Sequence, residues 1–281
     1  MKILVHLHLF YTEMLAEMFD YLRNIEQTDY DLYVTVAEDN QELTNRILAF
    51  KKDARIIVVP NRGYDVAPFI EVLKKVDLDH YDYVIKLHTK QTLRHRAYLP
   101  GCSFVGDEWR KCLVSFMDTP EHFKASCRQL EKYSTVGLVS HFKLIIWAKK
   151  EDREANARAE EILQQLGLQT KQRLFVAGTM FMCRAGLLKP LQQAPCGIDD
   201  FEPYDPFKPG GSLAHAYERL FGYVITAQGY TLSSWEPKTW KDQIHTAALQ
   251  IEQFLFYKRV NRKGKMHVKI CKIPVFSKQV K

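Results

Sequence analysis

Apolar and polar positions follow two alternating patterns between residues 3 and 87, and these patterns predict alternating strands and helices. Residues 3–9 form a continuous apolar stretch typical of a buried strand, whereas residues 12–25 carry apolar side chains at helical spacing. The sequence predicts further strands at 31–37, 55–59 and 81–87, and further helices at 41–50 and 69–76. Because parallel strands are joined by crossover helices, this order predicts a mostly parallel sheet covered on both faces.

The second half of the chain is less regular. Helices are predicted at 107–117, 119–133, 149–166 and 212–220, and strands at 136–140, 174–184 and 223–227. Thr119 followed by Pro120 is a strong start for the second of these helices. Residues 194–211 combine prolines, glycines and acidic residues, which indicates a functional loop.

The charge of the chain is concentrated at its end. The net charge is +7, and residues 251–281 hold nine Lys and Arg against Glu252 alone, so the first 250 residues are nearly neutral. We therefore expect a main domain over residues 1–250 and a basic amphipathic extension over residues 251–281. Interleaved aromatic and basic residues suit an anionic membrane surface. The alternative is a hairpin or helix that packs on the body and exposes a solvated basic face.

The apolar runs are too short for a membrane span. The longest, residues 174–183, is interrupted by Gly178, and a spanning helix needs about 18 or more apolar residues. The first ten residues do not have the pattern of a signal peptide. The six cysteines show no paired spacing. We expect a cytoplasmic protein with free thiols.

Four common enzyme motifs are absent from the sequence. It contains no GxGxxG after the first strand, no GxxxxGK[ST], no GxSxG and no HExxH. A dinucleotide-dependent oxidoreductase is therefore disfavoured. The remaining candidates lie after predicted strands, where open α/β sheets bind ligands.

The loop after the third predicted strand carries Arg62, Gly63 and Asp65. A guanidinium fork and a carboxylate could hold a base and a ribose, and glycine lets the backbone approach a ligand. The alternative is an ion pair between Arg62 and Asp65 that tightens a turn.

The fourth predicted strand ends in Lys86, His88 and Lys90, which share one face if the chain stays extended. His88 and Lys90 suit the phosphates of a ligand, and the alternative is a solvated strand end. His6 and His8 also share a face, and we interpret them as core histidines because no third metal ligand can be named. No metal site is predicted.

The acidic loop offers a general base. Its candidates are Asp199, Asp200, Glu202 and Asp205. On the helix that follows, His215 and Arg219 are four residues apart and so are neighbours on its surface. They could face the same site, or form part of a helix-surface ion pair.

Six segments together resemble the bacterial rhamnan synthesis protein F family of glycosyltransferases, which has a GT-A type fold. They occur in family order at 5–11 (VHLHLFY), 61–69 (NRGYDVAPF), 81–90 (YDYVIKLHTK), 109–110 (WR), 177–181 (AGTMF) and 211–222 (GSLAHAYERLFG). The last segment is preceded by Gly210 instead of the usual acidic residue.

The resemblance implies inverting transfer of a sugar, typically L-rhamnose from dTDP-rhamnose, to a lipid-linked surface polysaccharide. Because the basic extension suits an anionic surface and the acceptor is lipid-linked, we expect a cytoplasmic enzyme that is peripheral on the inner face of the membrane. We favour Glu202 as the base, then Asp200, then Asp199, because their loop precedes a helix expected near the acceptor side of the cleft. The donor would contact six residues: Arg62, Asp65, His88, Lys90, His215 and Arg219. Four further residues in the matching segments are site candidates: His8, Tyr11, Trp109 and Arg110.

One departure from many GT-A enzymes bears on metal use. Where those enzymes end a strand in Asp-x-Asp, this chain has His88-Thr89-Lys90. Cations in place of carboxylates remove the oxygen ligands that Mg²⁺ or Mn²⁺ prefers and bring positive charge to the leaving diphosphate. We therefore expect transfer without a required metal or other cofactor. The alternative is weak help from a divalent metal through His88 or His215.

Two other classes of function remain as alternatives. The first is a non-catalytic scaffold that binds a nucleotide sugar or glycan in a polysaccharide assembly complex, which the missing Asp-x-Asp allows. The second is a nucleic-acid binder, supported by the basic tail alone. Because the body is neutral, we expect no nucleic-acid partner.

Overall fold

The computed structural model describes residues 1–148, 152–203, 213–236, 251, 255–260, 265–271 and 273–279. Its first half alternates strands and helices: β1 (Lys2–His8), α1 (Leu15–Arg23), β2 (Asp29–Val36), α2 (Gln41–Phe50), β3 (Arg55–Val58), α3 (Val66–Lys75) and β4 (Tyr83–His88). This is the order that the apolar pattern predicts. Short 3₁₀ helices occur at Thr12–Met14 and Leu78–His80.

The second half is more varied. Its helices are α4 (Glu108–Val114), α5 (Pro120–Lys132), α6 (Arg153–Gln165), α7 (Lys189–Gln192) and α8 (Leu213–Ala227). Its strands are β5 (Leu93–Leu99), β6 (Cys102–Gly106), β7 (Val136–Ser140), β8 (Ile145–Trp147), β9 (Leu174–Val176), β10 (Phe181–Arg184), β11 (Thr231–Ser234), β12 (Phe256–Val260), β13 (Lys265–Ile270) and β14 (Ile273–Gln279). Further 3₁₀ helices occur at Ala185–Leu188 and Ile198–Asp200.

The main sheet has seven strands in the order β11-β7-β10-β4-β1-β2-β3. β1 pairs in parallel with β2 and β4, β2 with β3, and β11 with β7. β10 alone is antiparallel to both of its neighbours, β4 and β7. The expected fold class, a mostly parallel α/β sheet flanked by helices, is confirmed.

The core lies on both faces of this sheet. β4 is buried along its whole length, and so are residues 3–8 of β1. Strands buried on both faces read as continuous apolar runs, which is why the sequence pattern identifies them. Helix α5 begins as predicted, because the Thr119 side chain accepts a hydrogen bond from the backbone N–H of His122 at 3.1 Å.

Two predictions about the second half are wrong, and one hairpin was not predicted. The predicted strand at 223–227 is the last part of α8, whose residues 219–226 are buried on every side of the helix. The predicted strand at 174–184 is two strands, β9 and β10, separated by a turn in which Gly178 and Thr179 have φ values of 83° and 55°. The hairpin of β5 and β6 was not predicted, because β5 is largely exposed and carries Arg94, His95 and Arg96, whereas β6 is a short strand of only five residues.

The described part of the basic extension forms a three-stranded antiparallel sheet in the order β12-β13-β14. Residues 237–250 lie outside the described residues. The division between residues 250 and 251 therefore stays a prediction. Within the described residues, every helix is too short or too polar to cross a bilayer.

Candidate functional site

The strand register brings the histidines of β1 and β4 together at the carboxyl-terminal edge of the sheet. His8 lies opposite His88, and His6 lies opposite Lys86. His6 and Lys86 are fully buried, and His8 and His88 are each 5% exposed. Because alternate residues of a strand share a face, His6, His8, Lys86 and His88 form one polar layer.

A carboxylate from the neighbouring loop completes this layer. Asp65 precedes α3, and its Oδ2 accepts hydrogen bonds from the Lys86 ammonium and the Thr179 hydroxyl. Lys86 also donates to Thr179 Oγ1 at 2.8 Å. His88 Nδ1 lies 3.3 Å from the same Oδ2. The predicted alternative of an Arg62–Asp65 ion pair is wrong, because Asp65 pairs with Lys86.

The histidines are held by a shared hydroxyl on β2. Thr35 Oγ1 lies 2.9 Å from His6 Nε2 and 3.0 Å from His8 Nδ1. Because a hydroxyl has one proton to donate, it donates to one imidazole and accepts from the other. The His6 ring also stacks on Phe69, with ring centroids 5.3 Å apart. The structure thus places His6 in the core, as predicted.

Burial and charge set the protonation of this layer. Burial lowers the pKa of His8 to about 4 and that of His88 to about 3, and it lowers the pKa of His6 as well. Burial alone would raise the pKa of Asp65, but its interactions with His88 and Lys86 and the two hydrogen bonds lower it well below its ordinary value. Burial lowers the pKa of Lys86, and the charge of Asp65 and the hydrogen bond to it oppose that change. The site thus holds the Asp65–Lys86 ion pair among histidines that are neutral at neutral pH.

The turn that carries Thr179 is strained. Thr179 is a β-branched residue in the left-handed region, which such residues rarely adopt. Before it, Gly178 donates its backbone N–H to Glu218 Oε1 of α8 at 2.8 Å. A Cβ at Gly178 would lie 2.6 Å from Leu113 of α4 and 3.4 Å from the Trp109 ring. The turn is therefore held between α4, α8 and the Asp65–Lys86 pair.

The loop after β1 is tied to the end of β4. Thr89 Oγ1 accepts hydrogen bonds from the backbone N–H groups of Phe10 and Tyr11, at 3.1 and 2.9 Å. Lys90 follows Thr89 directly, at the same edge of the sheet as His8 and His88. The structure thus brings Tyr11 and Lys90 beside the buried layer.

The segment 198–203 packs on the loop before α3. The Arg62 guanidinium donates to the carbonyl oxygens of Asp199 and Phe201, at 3.3 and 2.9 Å. The backbone N–H of Gly63 donates to the Glu202 carbonyl oxygen at 3.1 Å. Arg62 therefore binds the acidic segment, and it places that segment next to Asp65.

The three described base candidates differ in their surroundings. Glu202 accepts a hydrogen bond from the backbone N–H of Leu213, the first residue of α8, at 3.0 Å, and its carboxylate lies 3.3 Å from Arg158. Asp199 and Asp200 are both exposed, and Asp200 accepts a hydrogen bond from the backbone N–H of Gly197 at 2.7 Å. Asp205 and the Gly210-Gly211-Ser212 segment lie outside the described residues.

The remaining candidates are more scattered. His215 lies beside Tyr64, with ring centroids 6.0 Å apart, and so is near the loop that carries Asp65. Arg219 of α8 is 5% exposed. It donates to Asn156 in α6 at 2.9 Å and to Asp152, the residue before α6, at 2.8 Å, so it joins the two helices. This position does not suit the expected donor contact.

The Trp-Arg pair lies on α4. The Trp109 ring packs edge-on against Phe104, with centroids 5.0 Å apart, and borders the turn at Gly178. Arg110 Nε lies 3.1 Å from Glu17 Oε1 and therefore faces α1. Only Trp109 of this pair is next to the turn of Thr179.

Two residues of the site were missed by sequence reasoning: Thr179 and Glu218. The sequence placed Lys86 on the same strand face as His88, but it did not predict that Lys86 pairs with Asp65. No pattern in the sequence could show that Thr179 and Glu218 would meet at one turn.

Acid should destabilise the protein through its buried histidines. His8 and His88 stay neutral in the folded protein but bind protons below pH 6.5 once unfolded, so stability should fall as pH drops from 6.5 towards 4. Each histidine should contribute a slope of up to about 1.4 kcal/mol per pH unit. Urea unfolding between pH 4.5 and 7 measures this slope. It should be shallower in His88→Gln and unchanged in His95→Gln, since His95 is exposed. Equal slopes in all three proteins would contradict the prediction.

The chain is similar to curated proteins of unknown role. Two relatives, each called uncharacterized protein WxcX, come from two strains of Xanthomonas campestris pv. campestris and are 29% and 28% identical over 241 residues. These residues cover 83% of this chain and 32% of each relative. The chain therefore spans about a third of the length of the curated relatives it matches.

Solved structures show distant likeness in fold. Glucosyl-3-phosphoglycerate synthase from Mycobacterium tuberculosis has a TM-score of 0.41 and 12% identity, over 98% of this chain and 89% of that chain. Residues 1–349 of S. aureus TarS in complex with UDP-GlcNAc have a TM-score of 0.42 and 12% identity, over 83% and 56%. Galactosyltransferase LgtC in complex with donor and acceptor sugar analogs has a TM-score of 0.36 and 11% identity, over 83% and 73%.

A family model also matches most of the chain. The model of the family described as rhamnan synthesis protein F matches residues 1–230, which include every strand of the main sheet except β11. The resemblance seen in the six sequence segments is thus confirmed, and the chain belongs to the rhamnan synthesis protein F family.

Proposed function

We propose that this chain is a glycosyltransferase domain that transfers a sugar from a nucleotide-sugar donor, and that the donor is dTDP-L-rhamnose. The observation that carries the proposal is the convergence of Asp65, His8 and His88 at the carboxyl-terminal edge of β1 and β4. Open α/β sheets bind their ligands at this edge. Membership of the rhamnan synthesis protein F family supports rhamnose as the transferred sugar.

The polar groups at this edge divide into two kinds. The Asp65 carboxylate suits the neutral hydroxyl groups of the donor, because it would repel a diphosphate. Lys90, directly after β4, suits the diphosphate, where an ammonium stabilises the negative charge that develops as the leaving group departs. The neutral His88 can donate one hydrogen bond, and His215, near Tyr64, lies at the side of the same loop.

The side-chain atoms at this edge of the sheet do not suit a hard divalent cation. Asp65 Oδ2, the carboxylate oxygen nearest to His88, is already bound by Lys86 and Thr179. Among the described residues, no three His, Cys, Asp or Glu side chains are arranged to hold a metal. We therefore propose transfer that does not require a metal, with the charge of Lys90 acting on the diphosphate.

The proposed reaction inverts the anomeric carbon. Glu202 takes the proton of the acceptor hydroxyl, the acceptor oxygen bonds to the anomeric carbon, and the bond from that carbon to the diphosphate oxygen breaks, releasing dTDP. Glu202 is partly exposed, with 27% of its side chain accessible, and Arg158 and the Leu213 N–H orient it. Asp200 and Asp199 are the second and third candidates for the base.

Nucleotide binding should identify the donor and test the metal requirement together. A ligand that binds only the folded state raises the unfolding temperature. We expect dTDP to raise it more than UDP, GDP or CMP, in thermal-shift measurements with and without EDTA. Loss of the dTDP effect in EDTA, restored by Mn²⁺, would contradict metal independence. If another nucleotide gives the largest rise in unfolding temperature, the donor is a different nucleotide sugar. If none of the four raises it, the non-catalytic scaffold is favoured.

We also propose that the acceptor is a lipid-linked surface polysaccharide and that residues 251–281 bind the inner face of the membrane. The nine basic residues of this extension are its support. The full chain should sediment with vesicles containing anionic phosphatidylglycerol and not with phosphatidylcholine vesicles. Each cation near an anionic surface contributes roughly 1 kcal/mol.

Matched substitutions distinguish membrane binding by the extension from a general effect of positive charge on the protein. Changing four of its lysines (Lys258, Lys263, Lys269 and Lys272) to glutamine should weaken vesicle binding by more than about tenfold. Changing four exposed lysines of the main domain (Lys52, Lys124, Lys132 and Lys171) should weaken it much less. Equal weakening by both sets would contradict the proposal and favour a solvated basic face.

A further inference from the structure

The Asp65 carboxylate is held at one oxygen only. Lys86 and Thr179 both donate to Oδ2, and Lys86 also donates to Thr179 Oγ1, so the three side chains close a ring of hydrogen bonds. Lys86 is fully buried and Thr179 is 3% exposed. The ring fixes both the position and the rotation of the carboxylate.

The second oxygen of Asp65 is the accessible one. Within the described part of the chain, Oδ1 has no hydrogen-bond partner, and it is not one of the buried polar atoms that lack one. The Asp65 side chain is 17% exposed, whereas the Lys86 side chain beneath it is fully buried. Oδ1 is therefore the acceptor that Asp65 offers to a ligand.

Packing alone does not require this ring. Lys86 Nζ lies 5.5 and 5.9 Å from the ring centroids of Phe69 and Phe221, in surroundings where an apolar side chain would fit. Thr179 adopts a left-handed conformation with φ 55°, which is unfavourable for a β-branched residue. Strain and buried charge that the core does not need are typical of functional sites.

We propose that Lys86 and Thr179 are positioning residues for the donor: they hold the Asp65 carboxylate so that Oδ1 accepts a hydrogen bond from a hydroxyl group of the nucleotide sugar. This inference rests on the proposed function, because it takes the donor to be a nucleotide sugar. It adds the part of the donor that Asp65 binds and two residues that act through Asp65.

The surrounding charges explain how Lys86 acts. Asp65 is faced by His6 and His8 from β1 and by Lys86 and His88 from β4, and Lys90 after that strand acts on His88. Glu218 of α8 lies near Lys86 and carries the opposite charge. Burial raises the pKa of Asp65, and the positive charge of Lys86 opposes that rise. Without Lys86 the pKa of Asp65 should rise, and donor binding should become dependent on pH.

The test compares three variants with the wild-type chain. Lys86→Met removes the charge at similar length, Thr179→Val removes only the hydroxyl, and Thr179→Ser keeps the hydroxyl. Calorimetry would measure the Kd of dTDP and of dTDP-rhamnose between pH 5.5 and 9. In parallel, ¹³C NMR of labelled aspartate would follow the Asp65 carboxyl group, with its signal assigned through Asp65→Asn.

We expect a specific pattern of affinities. Thr179→Val should weaken binding of dTDP-rhamnose roughly tenfold, as expected for the loss of a hydrogen bond to a charged group, and Thr179→Ser should recover most of that loss. Lys86→Met should bind weakly at pH 6 and regain affinity towards pH 9, while its Asp65 carboxyl titrates at a higher pH than in the wild type. If the variants lose affinity for dTDP-rhamnose but not for dTDP, the hydroxyl group that Asp65 binds belongs to the rhamnose.

Two results would overturn the inference. One is wild-type affinity in Thr179→Val, which remains measurable even if Lys86→Met does not fold. The other is a Lys86→Met affinity that is equally low at every pH, with no change in the Asp65 titration. If the wild-type chain binds no nucleotide at all, the proposed function fails and the inference fails with it, whereas normal wild-type binding with unaffected variants overturns the inference alone.

Discussion

Asp65→Asn should destabilise the folded protein by about 3–5 kcal/mol, the cost of leaving one member of a buried ion pair without its partner. Asp65 is the acidic group paired with Lys86, and Lys86 is fully buried. Since 1 kcal/mol shifts the unfolding temperature of a large domain by roughly 2–4 °C, the unfolding temperature should fall by about 10 °C. The same variant should lose donor binding.

Two variants control for this result. Asp31→Asn removes a carboxylate near the opposite edge of the sheet, which lies 3.4 Å from Lys2 and accepts a hydrogen bond from Tyr81 at 2.6 Å. Because its partner Lys2 is 39% exposed whereas Lys86 is fully buried, the loss of Asp31 should cost far less. The double variant Lys86→Met/Asp65→Asn should recover part of the stability, since neither charge then remains buried. An unchanged unfolding temperature in Asp65→Asn would show that the pair is not buried as described.

Glu202→Gln should reduce turnover by about 10²-fold or more while leaving donor affinity unchanged, because a glutamine cannot take the acceptor proton. Its amide oxygen can still accept the hydrogen bond from the Leu213 N–H, so the start of α8 should be retained. Steady-state transfer assays with the donor identified by the nucleotide panel measure the turnover, and calorimetry measures the donor affinity.

A second ion pair provides the control for Glu202. Glu160→Gln breaks a comparable pair with Arg173, at 2.7 Å, on the same helix as Arg158, and Glu160 is also partly exposed. Turnover should be normal in that variant. If Glu202→Gln is active and Asp200→Asn or Asp199→Asn is not, the base is the aspartate whose loss stops the reaction.

The first half of the fold was predictable because its signals are local. Each of β1 to β4 is an apolar run, and the helices between them show their own spacing. The second half depends on contacts between distant segments. β10 enters between β4 and β7 in the antiparallel direction, and α8 is apolar on so many sides that its last turn resembles a strand in sequence.

The site was partly predictable for the same reason. Asp65, His8 and His88 follow or end predicted strands, where ligands bind in open α/β sheets. Arg62 and Arg219 have the side chains that bind phosphate, but their guanidinium groups hold the 198–203 segment and α6. Residue type indicates what a side chain can bind, and tertiary contacts decide what it does bind.

The sequence by itself determined the alternating α/β order, the family and the polar residues at the strand ends, because each is carried by neighbouring positions along the chain. Only the tertiary structure decided that Lys86, and not Arg62, is the partner of Asp65, and that Thr179 joins them. Asp65 and Thr179 lie 21 and 93 positions from Lys86 along the chain. Their contacts arise because β10 pairs with β4 and because the strained turn before β10 directs the Thr179 hydroxyl towards the ion pair.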